Sequence, residues 1–354
     1  MNSMLRESLK PWKFLMKILN ISDLERIDSQ KMYKIYDDWP KIALESFSQK
    51  IEQIEYKNIE HIVFAGMGGS GSIGDIFSSI LSKSRIHVNV VKGYLLPRTV
   101  STETLVVVSS VSGNTIETLT VLESAKTIGC RLIAFSSGGK IGEFCEENKI
   151  QHVKIPLIHS PRASFTSYLY TMLKILQRSL KIKESEILES ITELEKTKQI
   201  ISSSNLTKDN AALNLARWIT GIPLIYYPFG LESAAIRFKN SLQENAKMHI
   251  FTEDVIEACH NGVVSWEKKS NVSPILIIGQ DDHIKTKERW DILKEFFVQN
   301  EIKYKEVSSN NGGILSKIIN LIYFLDYTTI YKAIIDEVDP SPVKSIDFIK
   351  SKLK

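Results

Sequence analysis

Two short loops carry the residues best suited to hold an anion. Gly66-Met67-Gly68-Gly69-Ser70-Gly71 follows the apolar run from His61 to Ala65, and Ser109-Ser110-Val111-Ser112-Gly113-Asn114-Thr115 follows the run from Leu105 to Val108. Each precedes a segment of helical character. Backbone N–H groups and hydroxyls therefore converge on two neighbouring helix N-termini, where unsatisfied donors and the helix dipole favour a phosphate. The expected ligand is a small phosphorylated molecule held by Ser70, Ser110, Ser112 and Thr115 with the N–H groups of Gly68, Gly69 and Ser70. Two rival readings exist. Gly66, Gly68 and Gly71 also satisfy the G-x-G-x-x-G pattern of a dinucleotide site, but Val91-Lys92-Gly93 supplies a lysine where such a site wants a carboxylate, which would suit only a 2′-phosphate. Ser112 and Thr115 could instead cap the helix opening at Thr115, with Glu117 in its first turn. The second loop favours phosphate, because its hydroxyls offer a phosphomonoester several hydrogen bonds at once.

The elements that must position these loops alternate. Residues 1 to about 58 read as helical, with Leu44, Phe47, Ile51 and Ile54 on one side. From His61 the pattern gives strands at His61 to Ala65, His87 to Val91, Leu105 to Val108, Arg131 to Phe135 and Gln151 to Ile155. Helices are expected at about Ser72 to Ser82, Thr115 to Thr127 and Ile141 to Glu147, with a longer one from Phe165 to Leu180. Residues 181–209 turn polar and read as a linker with one exposed helix. Beyond it, strands are expected at Pro223 to Tyr227, Met248 to Phe251, Ile275 to Gly279 and Tyr304 to Val307. Helices there fall at Glu232 to Gln243, Lys287 to Phe297 and Ile314 to Ile335. Such alternation implies an α/β fold of two three-layer αβα sandwiches with mainly parallel sheets and a ligand at the carboxyl edges of the strands.

Composition narrows the function. A chain of 354 residues, 43% hydrophobic and 24% charged, suits two domains, divided here as 1–185 and 186–354. The net charge of +4 is spread among interleaved acids and bases, so a nucleic-acid partner is not expected. Three widely spaced cysteines, Cys130, Cys145 and Cys259, argue against a disulfide framework or a cysteine zinc site and for a reducing cytoplasm. Neither a signal-peptide core nor a run of about 20 apolar residues stands out, so secretion and membrane insertion are not expected.

The combination of Gly-Met-Gly-Gly-Ser-Gly, then Ser110-Val111-Ser112-Gly113-Asn114-Thr115 with Glu117-Thr118, then Pro161-Arg162-Ala163 resembles the sugar isomerase (SIS) fold. More narrowly it is similar to the bifunctional phosphoglucose/phosphomannose isomerases. That likeness continues through the segment from Arg237 to Lys247 and through His260-Asn261-Gly262-Val263-Val264-Ser265-Trp266-Glu267. The resemblance implies two SIS domains, a sugar phosphate as substrate, no cofactor, no metal and a homodimer. It also implies an aldose–ketose isomerisation in which Glu244 moves the proton between C1 and C2 and Arg162 supplies positive charge where the enediolate oxygen develops. In the same family a histidine, here His260, assists ring opening from across the dimer interface, with His159 the second choice. A lysine of the C-terminal helix shares that step. Lys350 is the choice and Lys344 the alternative, on a helix that Ser341 would cap with Pro342 in its first turn and Ile346, Ile349 and Leu353 on one face. Val111 and Ile116 depart from the family pattern at positions that offer the phosphate no hydroxyl. The competing readings are a sugar-phosphate-sensing SIS regulator, another SIS-fold isomerase and an NADP-dependent oxidoreductase. Residues 1–58 lack the compact basic helix-turn-helix that the regulator would need.

Overall fold

The computed structural model describes residues 19–51 and 53–353, so the helical expectation for residues 1–18 lies outside the described residues. Three short helices open it: α1 (Ile21–Ile27), α2 (Met32–Asp37) and α3 (Trp39–Ser48). The first sheet follows, with β1 (His61–Ala65), α4 (Gly68–Leu81), β2 (His87–Val91), β3 (Leu105–Ser110), α5 (Ile116–Ile128), β4 (Arg131–Ser136), α6 (Gly139–Glu147) and β5 (Gln151–Lys154). Then come α7 (Phe165–Leu180), α8 (Glu184–Ile201) and α9 (Ala211–Trp218). The second sheet is built from β6 (Ile222–Tyr227), α10 (Glu232–Asn245), β7 (Phe251–Asp254), α11 (Val255–Ala258), β8 (Val272–Ile278), α12 (Ile284–Gln299) and β9 (Lys305–Ser308). It is followed by α13 (Ile314–Ile335) and α14 (Lys344–Lys352).

All strand pairings are parallel, in the orders β2-β1-β3-β4-β5 and β7-β6-β8-β9. In the first sheet the chain leaves β1 on one side for β2 and crosses to the other for β3. The crevice at the carboxyl ends of β1 and β3 is therefore a topological switch point, where ligands of open α/β sheets bind. Both glycine- and serine-rich loops emerge there.

The inner strands β1, β3, β4, β6 and β8 are largely apolar on both faces because helices cover both. Ile62, Phe64, Leu105, Val107, Ile133 and Phe135 join a core that continues without a break into Ile225, Ile275, Ile277 and much of α13. Their alternates Val63, Ala65, Val106, Val108 and Ala134 face α5 and α6, while Tyr226 and Leu276 face α12. The inner faces of the two sheets thus share one apolar interior. The central helix α13 is long and apolar enough to cross a membrane by composition, yet 83% of its apolar window is buried inside the fold.

Several expectations need correction. Among the described residues, 49–51 and 53–60 are not helical, since α3 ends at Ser48; Leu44 is exposed, and Ile51 and Ile54 pack on the core from outside any helix. Residues 181–209 are not a loose linker with an exposed helix: α8 buries Ile187, Ile191, Leu194 and Ile201. Its charged face is solvated while an apolar stripe at helical spacing packs inward, which a composition average conceals. Strand β7 begins at Phe251 rather than Met248, since Lys247 to Ile250 form an irregular connection leaving α10. Finally, α14 is capped by Val343, not Ser341, and buries none of its residues; Ile346, Ile349 and Leu353 are all exposed.

Candidate functional site

The first loop is built so that backbone approaches backbone. A Cβ on Gly66 would lie 2.9 Å from the Ser109 carbonyl oxygen, closer than side chains tolerate, so glycine is what lets the two loops touch. Gly68 adopts φ 52°, in the left-handed region, and nothing lies within 4 Å of the place its Cβ would take. Helix α4 starts at that residue, four positions earlier than expected, with Met67 as an N-cap that offers no side chain to the helix. Among the described residues the N–H groups of Gly68 and Gly69 have no acceptor, whereas Ser70 N–H already donates to the Met67 carbonyl at 3.0 Å. At this helix start two N–H groups, not three, are therefore without an acceptor among the described residues.

In the second loop Thr115 is the N-cap of α5 but makes no capping hydrogen bond. Its hydroxyl instead pairs with Ser110 Oγ at 2.9 Å, and Ser110 Oγ accepts from Gly113 N–H at 3.2 Å. Ser112 Oγ accepts from Asn114 N–H at 3.2 Å. The hydroxyls therefore shape the loop and each retains hydrogen-bonding capacity. Lys92, which the dinucleotide reading needed, is engaged: its ammonium pairs with Asp75 at 2.6 Å and its stem packs beside Gly71.

The second half of the site forms around Arg162, 4% exposed, on the turn that leads into α7. Its Nε donates to Asn245 Oδ1 at 2.7 Å, Nη1 to Glu244 Oε2 at 3.1 Å, and Nη2 to the carbonyls of Pro340 and Ser341 at 2.7 and 2.9 Å. Four of the five guanidinium donors are thus used among the described residues, and one on Nη1 remains beside the carboxylate. Glu244 and Asn245 end α10, and Asn245 is tied to Thr329 of α13 at 2.8 Å. Behind Arg162 lies a second buried cation. Arg237 donates to Asp326 at 2.7 Å and to the Arg162 carbonyl at 2.9 Å, and stacks 4.4 Å from the Phe165 ring. Its Nη1 stands 3.3 Å from where a Gly69 Cβ would be, so the glycine-rich loop and the Arg162 turn share one support. Breaking a pair this deeply buried would leave an uncompensated charge.

Glu244 and Gly68 line one cavity of about 850 Å³, with Asn240 and Gln243 from α10, Lys247 and His249 from the segment that follows it, and Lys344 from α14. Its volume suits a small ligand. Lys247 sits against two carbonyls, its ammonium donating to Glu244 O and, at 3.3 Å, to Pro340 O. Burial, and next the Arg162 charge, hold its pKa below the usual lysine value.

Of the candidates, Gly68, Glu244 and Lys344 line this cavity; Arg162, Gly69, Ser70, Ser110, Ser112 and Thr115 do not, and the remaining ones stand elsewhere. Lys350 is exposed on α14 and does not line this cavity, whereas Lys344 does. His260 lies exposed in the turn after α11 and is absent from the cavity wall of its own chain. His159 has a left-handed backbone, φ 61°, and burial pushes its imidazole toward the neutral form; it too is outside the wall. Sequence reasoning passed over Lys247, Asn245 and the Pro340 and Ser341 carbonyls. The one local signal was Lys247 just past the end of α10, where a helix commonly closes with glycine or asparagine. Among the described residues there is no group of three or more His, Cys, Asp or Glu side chains placed to hold a metal ion.

Comparison with known proteins bears on the family and the fold. The family model of the bacterial phospho-glucose isomerase C-terminal SIS domain matches residues 208–353, and that of the SIS domain matches residues 55–173. A bifunctional phosphoglucose/phosphomannose isomerase of Caldicellulosiruptor bescii is 31% identical over 318 residues, covering 85% of this chain and 91% of its own. One from Aquifex aeolicus is 30% identical over 299 residues, covering 83% and 90%. Among solved structures, the C-terminal domain of glucosamine-fructose-6-phosphate aminotransferase from Francisella tularensis superposes with a TM-score of 0.65 at 15% identity, covering 87% of this chain and 96% of that one. At that identity the likeness concerns the fold alone.

Proposed function

Because this chain belongs to the bifunctional phosphoglucose/phosphomannose isomerase family, we propose that it interconverts glucose 6-phosphate and mannose 6-phosphate with fructose 6-phosphate through an enediolate. The observation that carries this reading is the Arg162–Glu244 pair at 3.1 Å, whose carboxylate lines the same cavity as Gly68 of the phosphate loop. The Gly68 and Gly69 N–H groups and the hydroxyls of Ser70, Ser110, Ser112 and Thr115 hold the phosphate. Glu244 takes the proton from one of C1 and C2 and returns it to the other, and Arg162 meets the oxygen on which charge develops. The two aldoses differ only at C2, which becomes planar in the enediolate, so one base serves both. No step calls for a metal or a cofactor. The chain acts as a homodimer in which His260 of each protomer reaches the other protomer's cavity and assists ring opening. Of the two helix lysines, Lys344 already lines the cavity and is the better placed for that step, ahead of Lys350. Three free cysteines suit a reducing cytoplasm.

A coupled assay with each aldose phosphate, in the presence of a chelator, tests the reading. Both substrates are expected to turn over, with rates unchanged by chelation. Turnover of neither sugar would overturn the isomerase assignment, and loss of activity on chelation would overturn its metal-free chemistry.

The dimer has its own test. Mixing and refolding inactive Glu244→Gln with inactive His260→Ala chains should restore activity, because one of the two sites in each mixed dimer regains both groups. On a four-carbon aldose 4-phosphate, which cannot close a ring, His260→Ala alone should retain most of its turnover. Absence of complementation together with equal losses on both substrate types would sink this division of labour.

A further inference from the structure

Lys247 follows α10 directly after its C-cap Ala246, with a left-handed backbone at φ 56°. Helices often close through that conformation, but with glycine or asparagine; a side chain with a Cβ is disfavoured there. Here the turn folds the lysine back beneath the helix end. Its ammonium donates to the carbonyl of Glu244 and, at 3.3 Å, to that of Pro340. Arg162 Nη2 donates to the same Pro340 oxygen at 2.7 Å. An ammonium and a guanidinium therefore share one acceptor beside the carboxylate of Glu244.

Two cations held this close repel each other before any ligand arrives. The charged groups facing Lys247 are Arg162, which opposes its protonation, and Asp339 and Glu244, which favour it. Such an arrangement is preorganised for negative charge that appears only during reaction. Two of the three ammonium donors are occupied, one remains, and Lys247 lines the cavity with Glu244 and Gly68.

We propose that Lys247 is a catalytic residue: its free N–H joins Arg162 in binding the oxygen that becomes the enediolate anion. The proposal rests on the isomerase reading above. In the step concerned, Glu244 takes the C2 proton of the open-chain aldose. The C–H electron pair becomes the C1–C2 π bond, and the carbonyl pair moves onto O1, where Lys247 and Arg162 receive it. The proton on Glu244 then goes to C1, while the O2 proton passes to O1 and leaves a carbonyl at C2.

Lys247→Gln and Lys247→Arg test this in the full-length protein. Lys247→Gln is expected to lower kcat about 100-fold on cyclic and non-cyclising substrates alike, as for loss of one oxyanion donor, with KM little changed. Affinity for a phosphorylated sugar acid, an enediolate mimic, should fall by a comparable factor while affinity for inorganic phosphate stays the same. Lys247→Arg should recover part of both losses. A kcat close to wild type accompanied only by a lower melting temperature would reduce Lys247 to a helix stop and overturn the proposal, as would a loss confined to cyclic substrates. Failure of the underlying reading is distinguishable: the wild-type chain would then isomerise neither aldose, whatever Lys247→Gln did to binding of the sugar acid.

Discussion

Glu244→Gln is expected to abolish isomerisation of glucose 6-phosphate and mannose 6-phosphate in parallel, with kcat lowered by about 10³-fold or more for each. The amide keeps the shape of the carboxylate and can still meet Arg162 Nη1, which lies 3.1 Å from Glu244 Oε2. It cannot accept a proton from carbon. Binding of a phosphorylated sugar acid should remain measurable, because the phosphate loops and Arg162 are untouched. Progress curves for both aldoses, with titration of the sugar acid by calorimetry, check this. Loss of one activity with retention of the other would show that the two epimers do not share a base.

Arg162→Met should have the next largest effect, lowering kcat by about 10²- to 10³-fold. The methionine fills much of the volume but offers none of the four hydrogen bonds that tie the guanidinium to Asn245, Glu244, Pro340 and Ser341. The buried carbonyls and amide left behind should also lower stability, by about 1–3 kcal/mol for each group left without a partner. Arg162→Lys is expected to rescue little, since an ammonium cannot span the fork. Steady-state kinetics at a temperature where urea denaturation shows the variants folded separate the two effects. A kcat for Arg162→Met within about tenfold of wild type would remove Arg162 from the transition state.

Much of the architecture was legible because it is written in local periodicity. The helix expected from Phe165 to Leu180 occurs at those bounds, and the strand expected from His61 to Ala65 does too. The failures have local physical causes. The helix expected from about Ser72 begins instead at Gly68, among the glycines of the loop, because a helix's first turn needs no acceptor for its N–H groups and a ligand can take them. Residues 184–201 read as exposed from their charge, yet their apolar positions recur at helical spacing and bury against the fold.

The two glycine- and serine-rich loops were legible for the same reason: a strand, a turn and a helix are contiguous in the chain, so their convergence is a local property. Sequence also singled out Glu244 and Arg162 through the company they keep. What it could not contain was their meeting. Arg162 reaches Asn245 across 83 residues and Pro340 across 178, and those distances close only when α7, α10 and α13 pack into one apolar interior. The same packing places Lys247 and Lys344 on the cavity wall and leaves Lys350 outside it. Local propensity and spacing determine which turns and helices form. The cation set around Glu244 is decided by the long-range burial of apolar faces, which no window of contiguous residues records.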